Sequence, residues 1–162
     1  MVDQGDFDEL RRVKWQCNAG GYAYRTMSNG KNSKGRWTNK GVFMHALICP
    51  SGEGMDIDHI NHEKLDNRRT NLRAAPHRNN MRNMNIHRDQ RSGFKGICSV
   101  SRYEGRLWQA RIRVNGKVIQ LGSRPSKEAA ARLYDEGALK YFGEFACTNA
   151  SLGLLFPLTG SE

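Results

Sequence analysis

The run Asp58-His59-Ile60-Asn61-His62 places a carboxylate, imidazoles and an amide side by side, and Asn71-Leu72-Arg73 and Asn79-Asn80-Met81-Arg82-Asn83 follow it. Asp58 is a hard oxygen ligand of the kind a magnesium-like ion prefers. His59 has a reference pKa of ~6.5, so at neutral pH its free base can take a proton from water. Asn80 can add a neutral amide oxygen to the same ion, leaving the remaining positions to waters and phosphate oxygens. Together these groups suit hydrolysis of a phosphodiester by a water that a base activates beside a cation. Duller readings stand next to this one. Asp58 alone could cap a turn, and His62 suits a hydrogen bond within its loop. His45 suits a structural contact at the end of an element, and His77 and His87 suit the surface. Asn79 and Asn83 compete with Asn80 for the ligand role.

The surrounding charge points the same way. The 162-residue chain carries a net charge of +10, which favours a polyanionic partner, nucleic acid above all. The charge is clustered: Arg68, Arg69, Arg73, Arg78, Arg82, Arg88, Arg91 and Lys95 face only Asp66 and Asp89 in that stretch. Within it Arg73 and Arg82 are candidate contacts to DNA. Cys17, Cys49, Cys98 and Cys147 form no C-x-x-C pair, which argues against a zinc ribbon. Their wide spacing and the lack of a secretory leader lead to the expectation of reduced thiols in a cytoplasmic protein. No apolar run approaches a membrane span, so no membrane partner is expected.

Short elements must position these residues. Residues 6–17 read as a helix capped by Asp6 and stopped by Gly20-Gly21. Tyr22–Ser28 has strand character, and 29–39 is a polar loop that could be a hairpin. Val42–Ile48 is too short to assign by periodicity. Met55–Ile60 alternates as a strand with Ile57 buried, so Asp58 and His59 would face opposite sides. Pro76 suits the first turn of a helix running to Met84, and 86–91 reads as a linker.

The last third changes pattern. Phe94–Val100, Leu107–Val114 and Lys117–Gly122 read as three strands, with Asn115-Gly116 a strong hairpin signal between the second and third. Ser126 caps a helix that Gly143 ends, with Ala130, Leu133, Tyr134 and Tyr141 at helical spacing.

Two resemblances follow from these residues. The run Val42-Phe43-Met44-His45, Asp58-His59-Ile60-Asn61-His62, Leu65-Asp66-Asn67-Arg68-Arg69, Asn71-Leu72-Arg73 and Asn80-Met81-Arg82-Asn83 resembles the HNH homing endonucleases of phages and mobile introns. That resemblance implies a ββα-metal (His-Me finger) module. In it His59 is the general base, Asn71 braces the metal-site loop, His45 supports the site, and Asp58 with Asn80 holds the ion. The third motif position is Asn rather than His, so the resemblance is to the H-N-N variant, and magnesium or manganese is favoured over zinc. Residues 92–149 resemble the Apetala-two (ethylene-response-factor) DNA-binding domain, through Ser92-Gly93-Phe94-Lys95-Gly96-Ile97, Trp108-Gln109-Ala110-Arg111-Ile112-Arg113, Leu121-Gly122 and Phe142-Gly143-Glu144-Phe145-Ala146. That family places Lys95, Arg111 and Arg113 at DNA, whereas Cys98 stands where it has an arginine.

The expected protein is therefore α+β. A nuclease domain occupies 1–85 (motif core 42–84), a linker 86–91, a three-stranded antiparallel sheet packed on one helix 92–149, and a tail 150–162. Expected partners are double-stranded DNA and Mg2+ or Mn2+, with no small-molecule substrate, for a monomer in the cytoplasm, the host's if phage-encoded. The expected activity is homing-type cleavage at a specific duplex site. The competing class is a non-catalytic DNA-binding regulator on a degenerate nuclease fold.

Overall fold

In the computed structural model, which describes residues 1–83, 90–102 and 105–155, the chain divides into two units, Met1–Asn80 and Met81–Glu162. Both combine helices with antiparallel sheets.

The first unit begins with helix α1 (Gln4–Leu10), shorter than the expected 6–17. Asp3, not Asp6, sits at its N-cap. Asp6 instead binds the Arg69 guanidinium through Nη2 at 2.7 Å, and Asp3 accepts the Arg69 backbone N–H at 2.7 Å. The helix stops early, well before Gly20-Gly21, and the Trp15 indole folds back to donate to the Leu10 carbonyl at 2.9 Å. Strands β1 (Gln16–Cys17), β2 (Ala23–Lys31) and β3 (Trp37–Phe43) make one sheet in that order. The polar loop is thus mostly strand, and the turn occupies only 32–36, where the Asn32 side chain accepts from the backbone of Lys34 and Arg36.

Helix α2 (Met44–Ile48) resolves the unassigned apolar run, and it is a single helical turn. Strands β4 (Met55–His59) and β5 (Leu72–Pro76) pair antiparallel, with Asp58 opposite Arg73 and His59 opposite Leu72. Helix α3 (His77–Asn80) follows at once, touches both strands and passes into a 3-10 turn over Met81–Asn83. Pro76 therefore ends β5 instead of opening the helix. Leu10, Ile48 and Leu72 form the core, with Trp15, Met44 and Ile57 packed around it. Ile57 is only partly buried, whereas Asp58 and His59 are buried, the reverse of the expected pattern.

In the second unit β6 (Ile97–Arg102), β7 (Gly105–Val114) and β8 (Lys117–Arg124) form an antiparallel sheet in sequence order. Asn115 and Gly116 both have positive φ, 49° and 80°, as a two-residue type I′ hairpin requires. Helix α4 (Lys127–Phe142) packs on the sheet. Ser126 Oγ caps it by accepting from Ala129 N at 3.1 Å, and Gly143 ends it with φ 55°. Ile97, Ala110, Ile112, Ala130, Tyr134 and Ala138 make the core. Gly96 has φ 75°, and a Cβ there would lie 1.9 Å from the Tyr134 ring, so the sheet meets this tyrosine through a residue without a side chain. Buried Asp135 accepts from Asn149 N at 2.7 Å, and Asn149 Oδ1 accepts from Lys95 N at 2.6 Å, tying the end of the unit to its start.

The expected linker lies outside the described residues over 86–89. At its described end Gln90 Nε2 donates to the Ile97 carbonyl at 2.7 Å. Met84, His87, Arg88 and the tail from residue 156 also lie outside the described residues. Among the described residues no helix is long and apolar enough to cross a membrane.

Candidate active site

Strand β4 separates its side chains by the alternation of a pleated strand. Ile57 and His59 share one face, and Asp56 and Asp58 share the other. Asp58 sits directly opposite Arg73, so their side chains emerge on the same side. Arg73 Nε and Nη2 both donate to Asp58 Oδ2, at 2.9 and 2.7 Å. The Arg73 side chain, a candidate DNA contact, is 14 % exposed. Asn80, expected beside Asp58, donates through Nδ2 to Asp56 Oδ2 at 3.1 Å, and His77 Nδ1 donates to the same oxygen at 2.7 Å. Those two hydrogen bonds hold the Asp56 carboxyl below the usual carboxylate range. Sequence reasoning passed over Asp56, for which the two-residue offset from Asp58 along a strand was the available signal; His77, read as a surface residue, is exposed.

His59 ends β4 and is buried in an aromatic cluster. Its ring lies 5.2 Å from His45, edge to face, and 5.9 Å from Tyr22; His45 in turn stacks on Phe43 at 5.3 Å. Burial pulls the His59 pKa below the ordinary imidazole value, outweighing the raising influence of Asn67, Asp58 and Asp66. Burial, with the neighbouring His59, also lowers His45 to about 4. Both rings are therefore neutral at pH 7, and a neutral His59 is competent to accept a proton. The Nε2 of His59 lies 3.3 Å from Oδ1 of Asn67.

The loop between β4 and β5 is braced by polar side chains. Asn71 Oδ1 accepts from Asn61 N at 2.9 Å, and Asn71 Nδ2 donates to the Asp66 carbonyl at 2.8 Å. The Asp66 carboxylate accepts from Arg68 Nε and Nη2 at 2.7 and 2.6 Å and from Asn61 Nδ2 at 3.0 Å. These partners, Arg68 foremost, hold its pKa far below the usual range. Asp66 and Asn67 are among the most deeply buried side chains of the chain. His62 sits in the same loop with φ 66°.

The other candidates fall in the second unit. Arg111 and Arg113 are exposed on either side of buried Ile112, so alternation puts them on the sheet face away from α4. Lys95 donates through Nζ to the Arg82 carbonyl at 3.3 Å, and the Arg82 guanidinium lies 4.7 Å from the centre of the Phe142 ring. Asn83, a rival for the ligand role, is buried in this unit. Trp108 packs against the core with Lys127 over its ring at 4.9 Å. A further basic surface escaped the sequence reading. The β2–β3 hairpin carries Arg25, Lys31, Lys34, Arg36 and Lys40 with no acidic residue between Ala23 and Phe43, and its Trp37 is exposed.

The family profile described as HNH endonuclease matches residues 49–82, the stretch that runs from the end of α2 through α3. The chain is 31 % identical over 142 residues to an uncharacterised HNH endonuclease of Acanthamoeba polyphaga mimivirus, covering 86 % of this chain and 68 % of that protein. The chain belongs to the HNH endonuclease family, and it is a DNA endonuclease. Partial matches reach plant proteins as well. An AP2/ERF and B3 domain-containing protein of Oryza sativa subsp. japonica is 45 % identical over 60 residues, 37 % of this chain and 16 % of that protein. An AP2-like ethylene-responsive transcription factor of Arabidopsis thaliana is 35 % identical over 77 residues, 43 % of this chain and 12 % of that one.

Proposed function

We propose that this endonuclease is a divalent-metal-dependent enzyme of the homing type, cutting duplex DNA at a specific site with His59 as general base. The observation that carries the reading is the placement of His59: a buried imidazole at the end of β4, next in sequence to an acid on the opposite face. In this reading β4, β5 and α3 are the two strands and helix of a ββα-metal module.

The donor set fits a hard divalent cation. Asp56 and Asp58 offer carboxylates on one face, and Asn80, with Nδ2 turned to Asp56, offers its amide oxygen. Among the described residues no group of three or more His, Cys, Asp or Glu is close enough together to hold a metal ion. An ion held by Asp58 and Asn80 would therefore keep several waters or phosphate oxygens, as magnesium or manganese tolerates and structural zinc does not. When bound, such an ion supplies positive charge against the phosphoryl and leaving oxygens.

The chain's own residues do the rest. His59 takes the proton of the attacking water. Tyr22 and His45 pack its ring, and burial keeps the imidazole unprotonated and so free to take a proton. Asn71 and Asp66 hold the loop that follows His59. The sheet of the second unit, with Arg111 and Arg113 on its open face, suits the major groove of a duplex, as in the Apetala-two domain it resembles. The acid-free β2–β3 ribbon suits the DNA backbone. A reader tethered to a cutter raises local concentration at the target, so modest affinities combine.

The test is cleavage of the DNA flanking the gene, with the cut ends mapped on both strands. Cleavage requiring Mg2+ or Mn2+, confined to one site and lost in His59→Ala, is expected. Undiminished cleavage by His59→Ala, or cleavage in excess chelator, would overturn the reading.

A further inference from the structure

Two amides stand among the cations on the open face of the second unit's sheet. Gln109 precedes Arg111 by two residues along β7, so its side chain emerges on the same side. Gln120 of β8 lies directly opposite Arg111 and is exposed. The register explains how it comes there. Ala110 pairs with Gly122 but Arg111 pairs with Gln120, so Leu121 is an extra residue in β8. In an unbroken register Leu121 would stand opposite Arg111. The bulge instead leaves Leu121 packed against the core and brings Gln120 beside the arginine. There Gln109 Nε2 donates to Gln120 Oε1 at 3.2 Å.

Stability gives little reason for this pair. The bond is exposed, water competes for it, and a β-branched residue suits an exposed strand position at least as well. What the pair does fix is a recognition edge. An amide has two N–H donors and two lone pairs on its oxygen. The bond from Gln109 uses one lone pair, so Gln120 keeps its N–H groups and a lone pair side by side. The same holds with both amides turned over, since Gln120 then gives one N–H and keeps the other. Among the described residues neither amide makes a further side-chain hydrogen bond. In the major groove adenine presents the complement, N7 as acceptor and the N6 amino group as donor. Guanine presents two acceptors, and cytosine a donor without the acceptor. Charge brings this edge to a duplex: from Gln90 to Arg124, Glu104 is the one acidic residue against eight Lys and Arg.

We propose that Gln120, held in place by Gln109, is a base-reading residue of this endonuclease and selects an adenine in the major groove, beside the bases met by Arg111. The inference rests on the reading of this sheet as the part that meets the duplex. Its test is selection of bound duplexes from a randomised pool by the full chain, in chelator so that no strand is cut. The parent is expected to retain an adenine at one position, preferred by roughly 5- to 150-fold. Gln120→Glu is expected to change that position to cytosine, whose N4 amino group a carboxylate accepts, and Gln120→Ala to make it indifferent, with the other positions unchanged. Gln109→Leu, which frees the Gln120 amide to rotate, is expected to weaken the same preference; an unchanged preference there overturns the part given to Gln109. A profile identical to the parent's in both Gln120 variants overturns the proposal, as does a parent profile without adenine at the position they alter. The double variant Arg111→Ala, Arg113→Ala separates this from failure of the underlying reading. If it loses affinity while the Gln120 variants keep the parent profile, the sheet meets DNA but Gln120 does not read it. If it binds the same duplexes as tightly as the parent, the sheet is not the reader, and the proposal falls with that reading.

Discussion

Asn71 is the residue whose loss tests most directly how the loop above the candidate base is held. It is 6 % exposed and makes two side-chain bonds across the turn, from Asn61 N at 2.9 Å and to the Asp66 carbonyl at 2.8 Å. Its own carbonyl accepts from Ile60 N at 2.9 Å, which closes the end of the strand pair. Asn71→Ala keeps that last bond and removes the other two, leaving a part-buried N–H and a buried C=O without partners. At about 1–3 kcal/mol for each orphaned group, moderated where water reaches Asn61, the loss should be ~2–4 kcal/mol. Asn71→Asp keeps the acceptor for Asn61 but turns an anionic oxygen toward the Asp66 carbonyl, so it should cost at least as much. The chain has two units, so a single global transition is not the right measure. Trp15 and Trp37 report on the first unit and Trp108 on the second. Urea unfolding followed by fluorescence in a Trp108→Phe background therefore isolates the unit that matters. Hydrogen exchange at the Asn61 amide supplies the local reading and should accelerate in step. Stability within ~0.5 kcal/mol of the parent, the scatter of ordinary surface substitutions, with the Asn61 amide still protected, would refute the bracing argument.

Three further outcomes follow from the geometry. Gly96→Ala should cost the second unit ~3 kcal/mol or more, since the residue has φ 75° and its new methyl would meet the Tyr134 ring at 1.9 Å; a Trp108-monitored melt unchanged from the parent would contradict this. Arg73→Gln removes a cation that already occupies Asp58 Oδ2, so Mn2+ binding to the DNA-free chain, measured by calorimetry, should tighten roughly tenfold, about 1.4 kcal/mol; unchanged or weaker binding would show that Arg73 and the ion do not compete. His45 has a folded-state pKa of about 4, below its unfolded value of about 6.5. Above pH ~6.5 neither state holds the proton. Between there and pH ~4 the unfolded chain takes it up and the folded chain refuses it, so stability falls with pH by at most ~3 kcal/mol, less with solvent screening. Urea titrations at pH 7 and 4.5 should show that fall, made shallower in His45→Phe; an equal fall in both proteins would remove His45 as its source.

What was legible in the sequence were features fixed by neighbours along the chain. Asn115-Gly116 demanded positive φ at successive residues, Ser126 supplied an oxygen to the first turn of α4, and Gly143 ended it; each signal acts over a few residues, and each element formed where it was read. Elements decided by distant contacts were misread. Helix α1 lost its last seven expected residues, and Asp6 left its cap for Arg69, far along the chain. Helix α2 is one turn long, too short for periodicity to show. The site divides in the same manner. Asp58, His59, Asn71 and Asn80 were visible as an ordered set. The partners that orient them, Asn67 for His59 and Asp56 for Asn80, are chosen by the closing of the loop and the docking of α3, which no local pattern encodes.

The adjacency of Asp58 and His59 in the chain conceals a separation in space that the chemistry depends on. A carboxylate packed against an imidazole favours its protonated form and so removes it as a base at neutral pH. The pleat of β4 avoids this by sending the two side chains to opposite faces. Asp58 is neutralised on its own side by Arg73, directly across the strand pair. On the other side burial among Tyr22 and His45 outweighs the residual pull of Asp58 and Asp66, and the His59 pKa falls. Inserting one residue between Asp58 and His59 would put both side chains on one face and set the base beside the acid. The spacing of one residue between acid and base is thus a requirement of electrostatics, imposed through the period of a strand.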